Sequence, residues 1–418
     1  MSSGSDLFKK IKDKKAKIGI IGVGYVGSAL AKVSYSSGFE VLGFTRKEKK
    51  AKEINDLGIK NYKAATNISL LTHCDIICIC VPTPIHPDKS PDLEPFKSAL
   101  LNITHYLRRG QLIIIESTIA PGTTRNFALK ILLESGLKIE RDFFLSFSPE
   151  RIDPGNEKIT FEDMPKVVAG FGKQSTRLVE KFYKSIVKKV VVVSNLETAE
   201  MSKILENTFR LVNISLINEL TKYTNNLGIN MWEVITAAST KPFGFLPHYP
   251  GPGVGGHCIP VDPYYLLNDA KKRGISLKII EHAGLVNDQQ PVKVVNQALE
   301  ILKKTNGKNG EKKKNKILLI GVSYKPDISD IRESPALKIW ELFKKHGHSV
   351  SYHDPHVSHI NGFVSQKLSR NVINQHDLII ITTNHTNINY QNLIKYKKTI
   401  LDTRNVFNGH KNGYVIRL

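Results

Sequence analysis

The chain has 418 residues with 41% hydrophobic content, so it is too long for one ordinary core and apolar enough to build two or three. Its 60 lysines and arginines against 38 aspartates and glutamates give a formal charge of +22, which would suit nucleic acid, an anionic membrane or a phosphate-bearing small molecule. The basic residues are spread along the whole chain, and no aromatic residues alternate with them as on base-stacking surfaces. The charge therefore favours a solvated, lysine-rich surface and argues against nucleic-acid binding.

Cysteine content and the N-terminal segment bear on the compartment. Three of the four cysteines lie between 74 and 80, which is unlike a disulfide framework and favours a reducing environment. The segment before Ile18 is polar and charged with no apolar signal core, and no later apolar run approaches the length of a membrane span. We expect a soluble, cytoplasmic protein that makes no membrane contact.

Short β-branched runs alternate with longer amphipathic stretches in the first part of the chain. The runs are KIGIIG, EVLGF, DIICICVPTP and QLIIIEST, followed by shorter ones at 143–147, 167–169 and 190–193. Such alternation predicts a parallel sheet with helices on both faces, to which the three later runs add strands. We expect a basic leader over 1–14 and a Rossmann domain over 15–195.

A long helix opens the middle of the chain. From Glu197 to about Leu227, apolar residues recur at helical spacing without Pro or Gly. A loop rich in Gly and Pro follows over 241–263, and helices then continue to about Lys304. We expect a helical central domain over 196–304 and an exposed linker over 305–316, where TNGKNGEKKKNK has nothing to bury.

The last part of the chain returns to the first pattern. KILLIGVSYK opens it, and SVSYHDP, NVI, DLIIITTN and TILDTRN follow as a strand-and-helix series over 317–418. The expected fold class is therefore α/β, with two Rossmann-like, doubly wound domains joined by a helical middle domain with a long central helix.

Three glycines, Gly22, Gly24 and Gly27, form G-x-G-x-x-G directly between the first predicted strand and the first predicted helix. The first glycine permits a tight turn, the second lets the backbone approach a pyrophosphate, and the third lets helix and strand pack closely. The helix N-terminus offers free N–H groups to the anion. This context predicts a dinucleotide site, the alternative being a tight turn with no ligand.

The residues after the second predicted strand depart from the usual NAD pattern. An acidic residue normally stands there to hold the ribose 2′-hydroxyl, whereas EVLGF is followed by Thr45 and Arg46. A hydroxyl beside a guanidinium could accept a 2′-phosphate, so NADP use is one hypothesis. The alternative is that Thr45 bonds the ribose while Arg46 points to water.

The run PGPGVGGHCIPVDPYYL, beginning at Pro250, holds a single cysteine in a loop where Gly and Pro fix the backbone. Cys258 is flanked by His257 and followed four residues later by Asp262. A cysteine is a good nucleophile only as a thiolate, which requires nearby positive or hydrogen-bonding groups. The three strand cysteines are expected to be core residues. We predict no metal site, because the histidines near the loop lack further ligands at metal spacing.

On the predicted long helix, Lys203 and Asn207 are four residues apart and face the same way. A lysine with an asparagine one turn along can hold an alkoxide or an activated water. The alternative is an exposed lysine on an amphipathic helix.

At this point the motifs resemble a known family, the UDP-glucose/GDP-mannose dehydrogenase family, over nearly the whole chain, and most closely its UDP-N-acetylglucosamine 6-dehydrogenase branch. The motifs are GVGYVG at Gly22, VPTP at Val81, ESTIAPGTT at Glu116, FSPERIDPGN at Phe147, AEMSKILENTFR at Ala199, TKPFGF at Thr240, the cysteine loop and SYKPDISDIRESPA at Ser323.

The resemblance implies an NAD-dependent, four-electron oxidation of a sugar C6 alcohol to a uronate. Cys258 would attack the intermediate aldehyde, and the thiohemiacetal would be oxidised to a thioester that water hydrolyses. Lys203 and Asn207 would stabilise oxyanions, and Asp262 would help position or deprotonate water and the alcohol. Glu150 would assist thioester hydrolysis, and Thr118 would sit beside the reacting centre.

The remaining expectations concern binding and assembly. The expected cofactor contacts are Gly22, Gly24, Tyr25, Val26, Gly27, Thr45, Arg46, Thr83 and Thr118. The expected substrate contacts are Glu150, Arg151, Lys203, Asn207, Arg210, Gly255, His257, Lys325 and Arg332. By resemblance, the last domain binds UDP and the long helix forms a homodimer or a larger homo-oligomer.

The substrate expected from the resemblance is UDP-N-acetylglucosamine. His257 before the cysteine and PVDPYYL after it resemble the N-acetylhexosamine branches, and KIKDKKAKIGIIG, TKPFGF and ENTFRLVNISLINEL resemble the N-acetylglucosamine branch in particular. The nucleotides of N-acetylmannosamine, N-acetylgalactosamine and glucose stay open as alternatives. The main alternative function is that of a two-electron hydroxyacid dehydrogenase, although such an enzyme does not require a catalytic cysteine at position 258. A non-catalytic nucleotide-sugar sensor is a further alternative.

Overall fold

The computed structural model describes residues 3–153, 155, 159–306, 314–408 and 413–418. The part of the predicted linker at 307–313 lies outside the described residues. The chain divides into two compact units, Met1–Glu206 with Tyr264–Gly274, and Asn207–Pro263 with Ile275–Leu418. None of the described helices is both long and apolar enough to cross a membrane.

The first unit is built on an eight-stranded sheet with helices on both faces. Its strands are β1 (Lys17–Ile21), β2 (Glu40–Phe44), β3 (Tyr62–Ala65), β4 (Ile76–Ile79), β5 (Gln111–Ile115), β6 (Phe143–Phe147), β7 (Lys166–Gly170) and β8 (Val190–Val192). Its helices are α1 (Ser3–Lys12), α2 (Tyr25–Ser36), α3 (Glu48–Asn55), α4 (Glu94–Tyr106), α5 (Leu129–Leu133) and α6 (Lys173–Tyr183), with a 3-10 turn at Ile68–His73 and a π turn at Thr124–Ala128.

The strand order is β3-β2-β1-β4-β5-β6-β7-β8, so the chain reverses direction across the sheet between β1 and β4. This is the topological switch point at which doubly wound sheets bind ligands. The prediction that the three later runs join the same sheet is confirmed.

One pair of neighbouring strands departs from the predicted parallel order: β6 and β7 are antiparallel. Parallel neighbours need a crossover connection, and the described residues between these strands contain no helix that could provide one. The chain therefore turns back, which places the first residue of β7 at the edge where β5 and β6 end.

Apolar side chains cover both faces of this sheet. Successive residues of β4 alternate, with Ile76 and Cys78 in one core and Ile77 and Ile79 in the other. Helix α1 belongs to the first of these cores, where its Leu7 and Ile11 are buried. Lys10 of the same helix lies 2.8 Å from Asp75. The predicted basic leader thus contains a packed amphipathic helix.

Three helices occupy the middle of the chain, α7 (Leu196–Asn226), α8 (Met231–Ala238) and α9 (Asp262–Lys272). Helix α7 agrees with the predicted long helix to within one residue at each end. The Gly- and Pro-rich segment between α8 and α9 is irregular, as its composition predicts.

The second unit contains a five-stranded parallel sheet of order β10-β9-β13-β14-β15. The elements after α9 are α10 (Lys278–Asn306), β9 (Lys316–Ile320), α11 (Pro335–Lys345), β10 (Ser349–His353), β11 (His359–Ile360), β12 (Phe363–Val364), α12 (Arg370–Gln375), β13 (Leu378–Ile381), α13 (Gln391–Ile394), β14 (Ile400–Asp402) and β15 (Val415–Arg417). The segment NVI lies in α12. The fold class is confirmed: two Rossmann-like α/β parts and a helical middle with a long helix.

Candidate active site

The glycine loop joins β1 to α2 in the first unit, and packing explains two of its three glycines. Gly22 has a φ of +94°, and an added Cβ would lie 2.7 Å from the carbonyl oxygen of Cys80. At Gly27 a Cβ would lie 2.0 Å from the carbonyl oxygen of Gly22. These two positions accept no side chain, because the turn and the helix–strand contact leave no room.

The second glycine of the loop has no such explanation within the protein. A Cβ at Gly24 would meet nothing within 4 Å, and its φ of −81° suits any residue. Gly24 is exposed and caps α2 without a side-chain hydrogen bond, and Tyr25 and Val26 are the first two residues of that helix. The space above Gly24 fits the close approach of a dinucleotide pyrophosphate, which supports the predicted cofactor site.

Other predicted cofactor residues follow neighbouring strands. Thr45 and Arg46 follow β2, Thr83 follows β4, and Thr118 follows β5. Since these strands are parallel neighbours around β1, their carboxyl ends share one edge of the sheet with the glycine loop.

A buried charge cluster lies at the same edge. Lys166, the first residue of β7, places its Nζ 2.7 Å from Oε2 of Glu116 and 2.7 Å from Oε2 of Glu150. All three residues are buried, and Tyr183 donates its hydroxyl to Glu116. The antiparallel turn into β7 accounts for the cluster, because it brings Lys166 beside the residues that follow β5 and β6.

Hydrogen bonds and burial move the pKa values of the two carboxyl groups in opposite directions. Burial disfavours the charge on Glu150, but Lys166 and the N–H groups of Arg151 and Ile152 outweigh it and lower the pKa of Glu150. Burial raises the pKa of Glu116, which lacks such backbone donors. Burial also opposes the charge on Lys166, yet the two carboxyl groups raise its pKa. The predicted hydrolytic residue Glu150 is therefore a carboxylate.

Arg151, a predicted substrate contact, is engaged by the protein itself. Its guanidinium lies 2.7 Å from Glu206 on α7 and 3.1 Å from the carbonyl oxygen of Pro165. These bonds hold the segment after β6 against the long helix within the first unit. Thr118 is half-buried in the loop after β5.

Helix α7 carries three of the predicted residues. Lys203 is 8% exposed and Asn207 5% exposed, so neither is the exposed surface residue of the alternative interpretation. Within the described part of the chain, no hydrogen bond or ion pair of Lys203 is found. Asn207 donates its Nδ2 to Oδ2 of Asp262 over 2.5 Å. Arg210 is exposed.

The cysteine loop lies in the second unit, and buried asparagines anchor its backbone. Asn218 of α7 accepts the N–H of Gly251 at 2.9 Å, and Asn287 of α10 accepts the N–H of Val254 at 2.7 Å. Both asparagines are at most 5% exposed. The loop is therefore held from two helices at once, which fixes the approach to Cys258.

Close packing also joins the loop to the segment after β9. The N–H of Gly256 donates to the carbonyl oxygen of Arg332 at 2.9 Å, and a Cβ at Gly255 would lie 2.6 Å from the Cβ of Tyr324. The structure thus brings the predicted cysteine loop together with SYKPDISDIRESPA, the segment expected to meet the nucleotide. Lys325 is half-buried, and the Arg332 guanidinium lies 2.5 Å from Asp330.

Cys258 differs from the other three cysteines in its surroundings. It is half-buried, with its Sγ 3.7 Å from Nε2 of His257, and its carbonyl accepts the N–H of Asp262 at 2.8 Å. In contrast, burial raises the pKa of Cys74 to about 12 and keeps the pKa of Cys78 and Cys80 well above the usual value. Those three thiols are unsuited to forming thiolates.

A cluster of metal-ligand type that the sequence analysis did not anticipate lies in the second unit. Ligand atoms of Asp327, His356 and His385 lie within 4.8 Å of one another. Both ring nitrogens of His385 are already engaged, one accepting the N–H of Asp327 at 3.0 Å and the other 3.0 Å from Asp354. We therefore assign no metal to it.

The six predicted catalytic residues are divided between the units. Thr118, Glu150 and Lys203 belong to the first, and Asn207, Cys258 and Asp262 to the second. Sequence reasoning missed Glu116, Lys166, Tyr183, Asn218 and Asn287. One signal was available for Glu116: a charged residue follows an otherwise apolar strand in QLIIIEST.

Comparisons with known proteins agree with this geometry. Family models of the UDP-glucose/GDP-mannose dehydrogenase family match residues 57–187 (NAD binding domain), 197–289 (central domain) and 318–409 (UDP binding domain). The NAD binding domain of D-isomer specific 2-hydroxyacid dehydrogenases also matches residues 4–89, which contain the glycine loop.

Individual relatives extend the match over almost the full chain. UDP-N-acetyl-D-mannosamine dehydrogenase of Pyrococcus horikoshii is 33% identical over 96% of this chain and 98% of that protein. UDP-N-acetyl-D-glucosamine 6-dehydrogenase of Pseudomonas aeruginosa is 34% identical over 82% of this chain and 84% of that protein. The solved structure of the Pyrococcus horikoshii UDP-D-ManNAc dehydrogenase matches with a TM-score of 0.87 at 32% identity, covering 96% of this chain and 98% of that one.

The dinucleotide loop, the anchored cysteine and these matches lead to one conclusion. The chain belongs to the UDP-glucose/GDP-mannose dehydrogenase family and is an NAD-dependent nucleotide-sugar dehydrogenase.

Proposed function

We propose that this enzyme oxidises the C6 alcohol of a UDP-N-acetylhexosamine to the carboxylate through a thioester on Cys258. The observation that carries the proposal is the loop of Cys258: a half-buried thiol on a backbone anchored by Asn218 and Asn287 and bonded to the segment of Arg332. Four electrons leave as two hydrides to two NAD⁺, and one water supplies the second carboxylate oxygen. A two-electron dehydrogenase has no need of such a thiol.

When bound, the dinucleotide supplies the hydride acceptor for both oxidation steps. The residues of the chain handle the protons and the charges. The Asp262 carboxylate accepts one N–H of Asn207 and so fixes the amide, whose other N–H is available to an oxyanion. Lys203 supplies a positive charge from the same face of α7.

Cys258 would retain the aldehyde that the first oxidation produces. His257 lies close enough to the sulfur, at 3.7 Å, to accept its proton, and the thiolate adds to the carbonyl carbon. Removal of hydride from the thiohemiacetal gives the thioester. Since the aldehyde is covalently bound, it cannot diffuse away before the second oxidation.

Glu150 would act in the last step, the hydrolysis of the thioester. Both oxygens of its carboxylate accept hydrogen bonds, from Lys166 and from two backbone N–H groups, which keep it ionised and fixed. A fixed carboxylate orients water and stabilises the positive charge that develops as the water attacks.

Two N-acetylhexosamines are candidate substrates. The sequence motifs resemble the N-acetylglucosamine branch, and the Pseudomonas aeruginosa relative bears that name. The match with the N-acetylmannosamine dehydrogenase of Pyrococcus horikoshii covers more of the chain, which favours UDP-N-acetylmannosamine as the second candidate.

A panel of UDP sugars, incubated with NAD⁺ and with mass detection of the acid product, tests the proposal. We expect two reduced cofactors per sugar and no uronate from Cys258→Ser. Cys80→Ser is the matched control, because Cys80 is a packed cysteine with a raised pKa, and it should retain the full stoichiometry. One reduced cofactor per sugar, or uronate from Cys258→Ser at the wild-type rate, contradicts the proposal.

We also propose a homodimer formed through α7. Phe209, Leu216, Leu220 and Tyr223 are 40–63% exposed, and their spacing places them along one side of the helix. Light scattering after gel filtration tests this, and Leu216→Glu with Leu220→Glu should yield a monomer.

The compartment stays a prediction from the sequence. All four cysteines are free thiols, which accords with the reducing, cytoplasmic environment that we expect.

A further inference from the structure

At the cofactor-binding edge of the first sheet, the residues after β2 are uncharged or basic, where NAD-preferring folds have an acidic residue. Folds of this kind that prefer NAD carry an acidic residue at that place for the ribose hydroxyls, whereas an arginine accommodates the 2′-phosphate of NADP. Here β2 ends at Phe44 and is followed by Thr45, Arg46 and Lys47. The position that an NAD-specific enzyme gives to a carboxylate is therefore occupied by a hydroxyl.

Backbone pairing connects this segment to the glycine loop. β1 and β2 are parallel with Ile21 opposite Phe44, and the N–H of Gly22 donates to the carbonyl oxygen of Phe44 at 3.1 Å. Thr45 is thus the neighbour, across one strand spacing, of the first glycine of the loop. The residues after β2 flank whatever the loop binds.

The nearest acidic residue is held by another part of the sheet. Glu48 is the single carboxylate among residues 44–50, and its Oε1 lies 2.5 Å from the hydroxyl of Thr66, after β3. Glu48 therefore does not replace the missing acid, because its partner Thr66 follows β3, which lies on the opposite side of β2 from β1 and the glycine loop.

The two residues after β2 have the groups that a phosphate requires. The Oγ1 of Thr45 accepts the N–H of Lys47 at 3.3 Å, which leaves its own proton to donate. Arg46 is exposed, and within the described residues no carboxylate or carbonyl partner of its guanidinium is found. A guanidinium in this state can bind a phosphate through two parallel N–H groups.

We propose that the dinucleotide site accepts a 2′-phosphorylated cofactor, NADP, as well as NAD, with Arg46 and Thr45 as the ligands of the 2′-phosphate. This goes beyond the proposed sugar oxidation, and its test needs no sugar substrate.

The test compares adenosine 2′,5′-bisphosphate with 5′-AMP by calorimetry on the full chain, with excess UDP present so that the nucleotide-sugar site is filled. We expect the bisphosphate to bind about tenfold more tightly, as one charge-assisted contact implies. Arg46→Ala should abolish that difference while leaving the affinity for 5′-AMP within about twofold. Thr45→Asp should reverse the preference through repulsion.

The matched control is Lys50→Ala, which removes the same charge from the same segment. Lys50 lies 3.6 Å from Glu53 and is not assigned to the phosphate, so this variant should keep the tenfold difference expected from a charge-assisted contact. If Arg46→Ala and Lys50→Ala lose the affinity difference equally, the 2′-phosphate is attracted by the general positive charge of the segment, and the assignment to Arg46 is overturned. Equal or weaker binding of the bisphosphate by the wild-type chain overturns the whole proposal. Because the Arg46 and Lys50 side chains are exposed, the melting temperatures of Arg46→Ala and Lys50→Ala should equal that of the wild-type chain, which confirms that both variants fold.

Discussion

The ammonium of Lys166 lies 2.7 Å from the carboxylate of Glu150, although Glu150 follows β6, Lys166 begins the antiparallel β7, and the two share no sequence motif. The same ammonium also contacts Glu116, so one buried cation serves two buried carboxyl groups. With both carboxyls ionised the cluster would carry a net negative charge, which burial disfavours. Burial raises the pKa of Glu116, whereas backbone donors and Lys166 lower the pKa of Glu150.

Replacing Lys166 by Met should impair thioester hydrolysis more than sugar oxidation. Without the cation Glu150 takes up a proton, so the acyl enzyme should accumulate and turnover at pH 7 should fall by at least about tenfold. Raising the pH should restore part of the rate, because Glu150 then ionises again. Intact-mass detection of the acyl enzyme in single-turnover reactions measures this.

Two variants separate this role from a merely structural one. Glu116→Gln leaves a neutral Lys166–Glu150 pair and should hydrolyse the thioester normally, and Lys166→Arg should keep the wild-type pH profile. A folded Lys166→Met enzyme with an unchanged profile would refute the positioning role.

Gly24 and Gly27 should respond differently to a single methyl group. Gly27→Ala places a Cβ 2.0 Å from the carbonyl oxygen of Gly22, so helix α2 must move and the melting temperature should fall by several degrees. Gly24→Ala meets no protein atom and should melt like the wild-type chain, yet it should bind NAD at least about tenfold more weakly. Thermal unfolding and NAD calorimetry distinguish the two, and unchanged NAD affinity in Gly24→Ala would contradict the site.

Asn287→Ala should loosen the cysteine loop without unfolding the protein. It leaves the N–H of Val254 without its acceptor, at a cost of about 1–3 kcal/mol, concentrated in the loop. Turnover should fall about tenfold, and amide exchange across 250–258 should accelerate. Asn213→Ala is the control, because that side chain donates to Phe209 of its own helix. Equal exchange rates in the two variants would argue against the anchor.

Glu200 on α7 should make stability depend on pH. Burial raises its pKa to about 7, although the N–H groups of Gly122 and Thr124 lower it in part. Between about pH 4.5 and 7 the folded chain holds a proton that the unfolded chain has released, so stability falls as pH rises through this window, by about 3 kcal/mol in total.

Glu200→Gln removes this dependence. The difference in free energy of unfolding between the wild-type and variant chains, from urea titrations, should shift between pH 4.5 and 7 and be constant above pH 8. A constant difference throughout would show that Glu200 ionises normally in the folded chain.

Local sequence was sufficient for features that depend on neighbouring residues. Most strands of the two sheets, the bounds of α7 and the turn at Gly22 follow from short periods and from glycine chemistry, whereas the edge strands β3 and β15 were not predicted. The Lys166 cluster does not, because a polar residue at the start of an apolar strand predicts nothing until the direction of β7 is known. The asparagines that hold the cysteine loop were equally hidden, since each looks like an ordinary polar residue on a helix.

The packed helix at the start of the chain has a practical consequence. Leu7 and Ile11 are buried in the core on one face of the sheet, so a shortened version of the enzyme that begins at the first strand would expose the apolar surface that they cover. The truncated protein should aggregate during purification, although it retains every proposed catalytic residue. Anyone trimming this enzyme for crystals or for fusion should keep its first dozen residues.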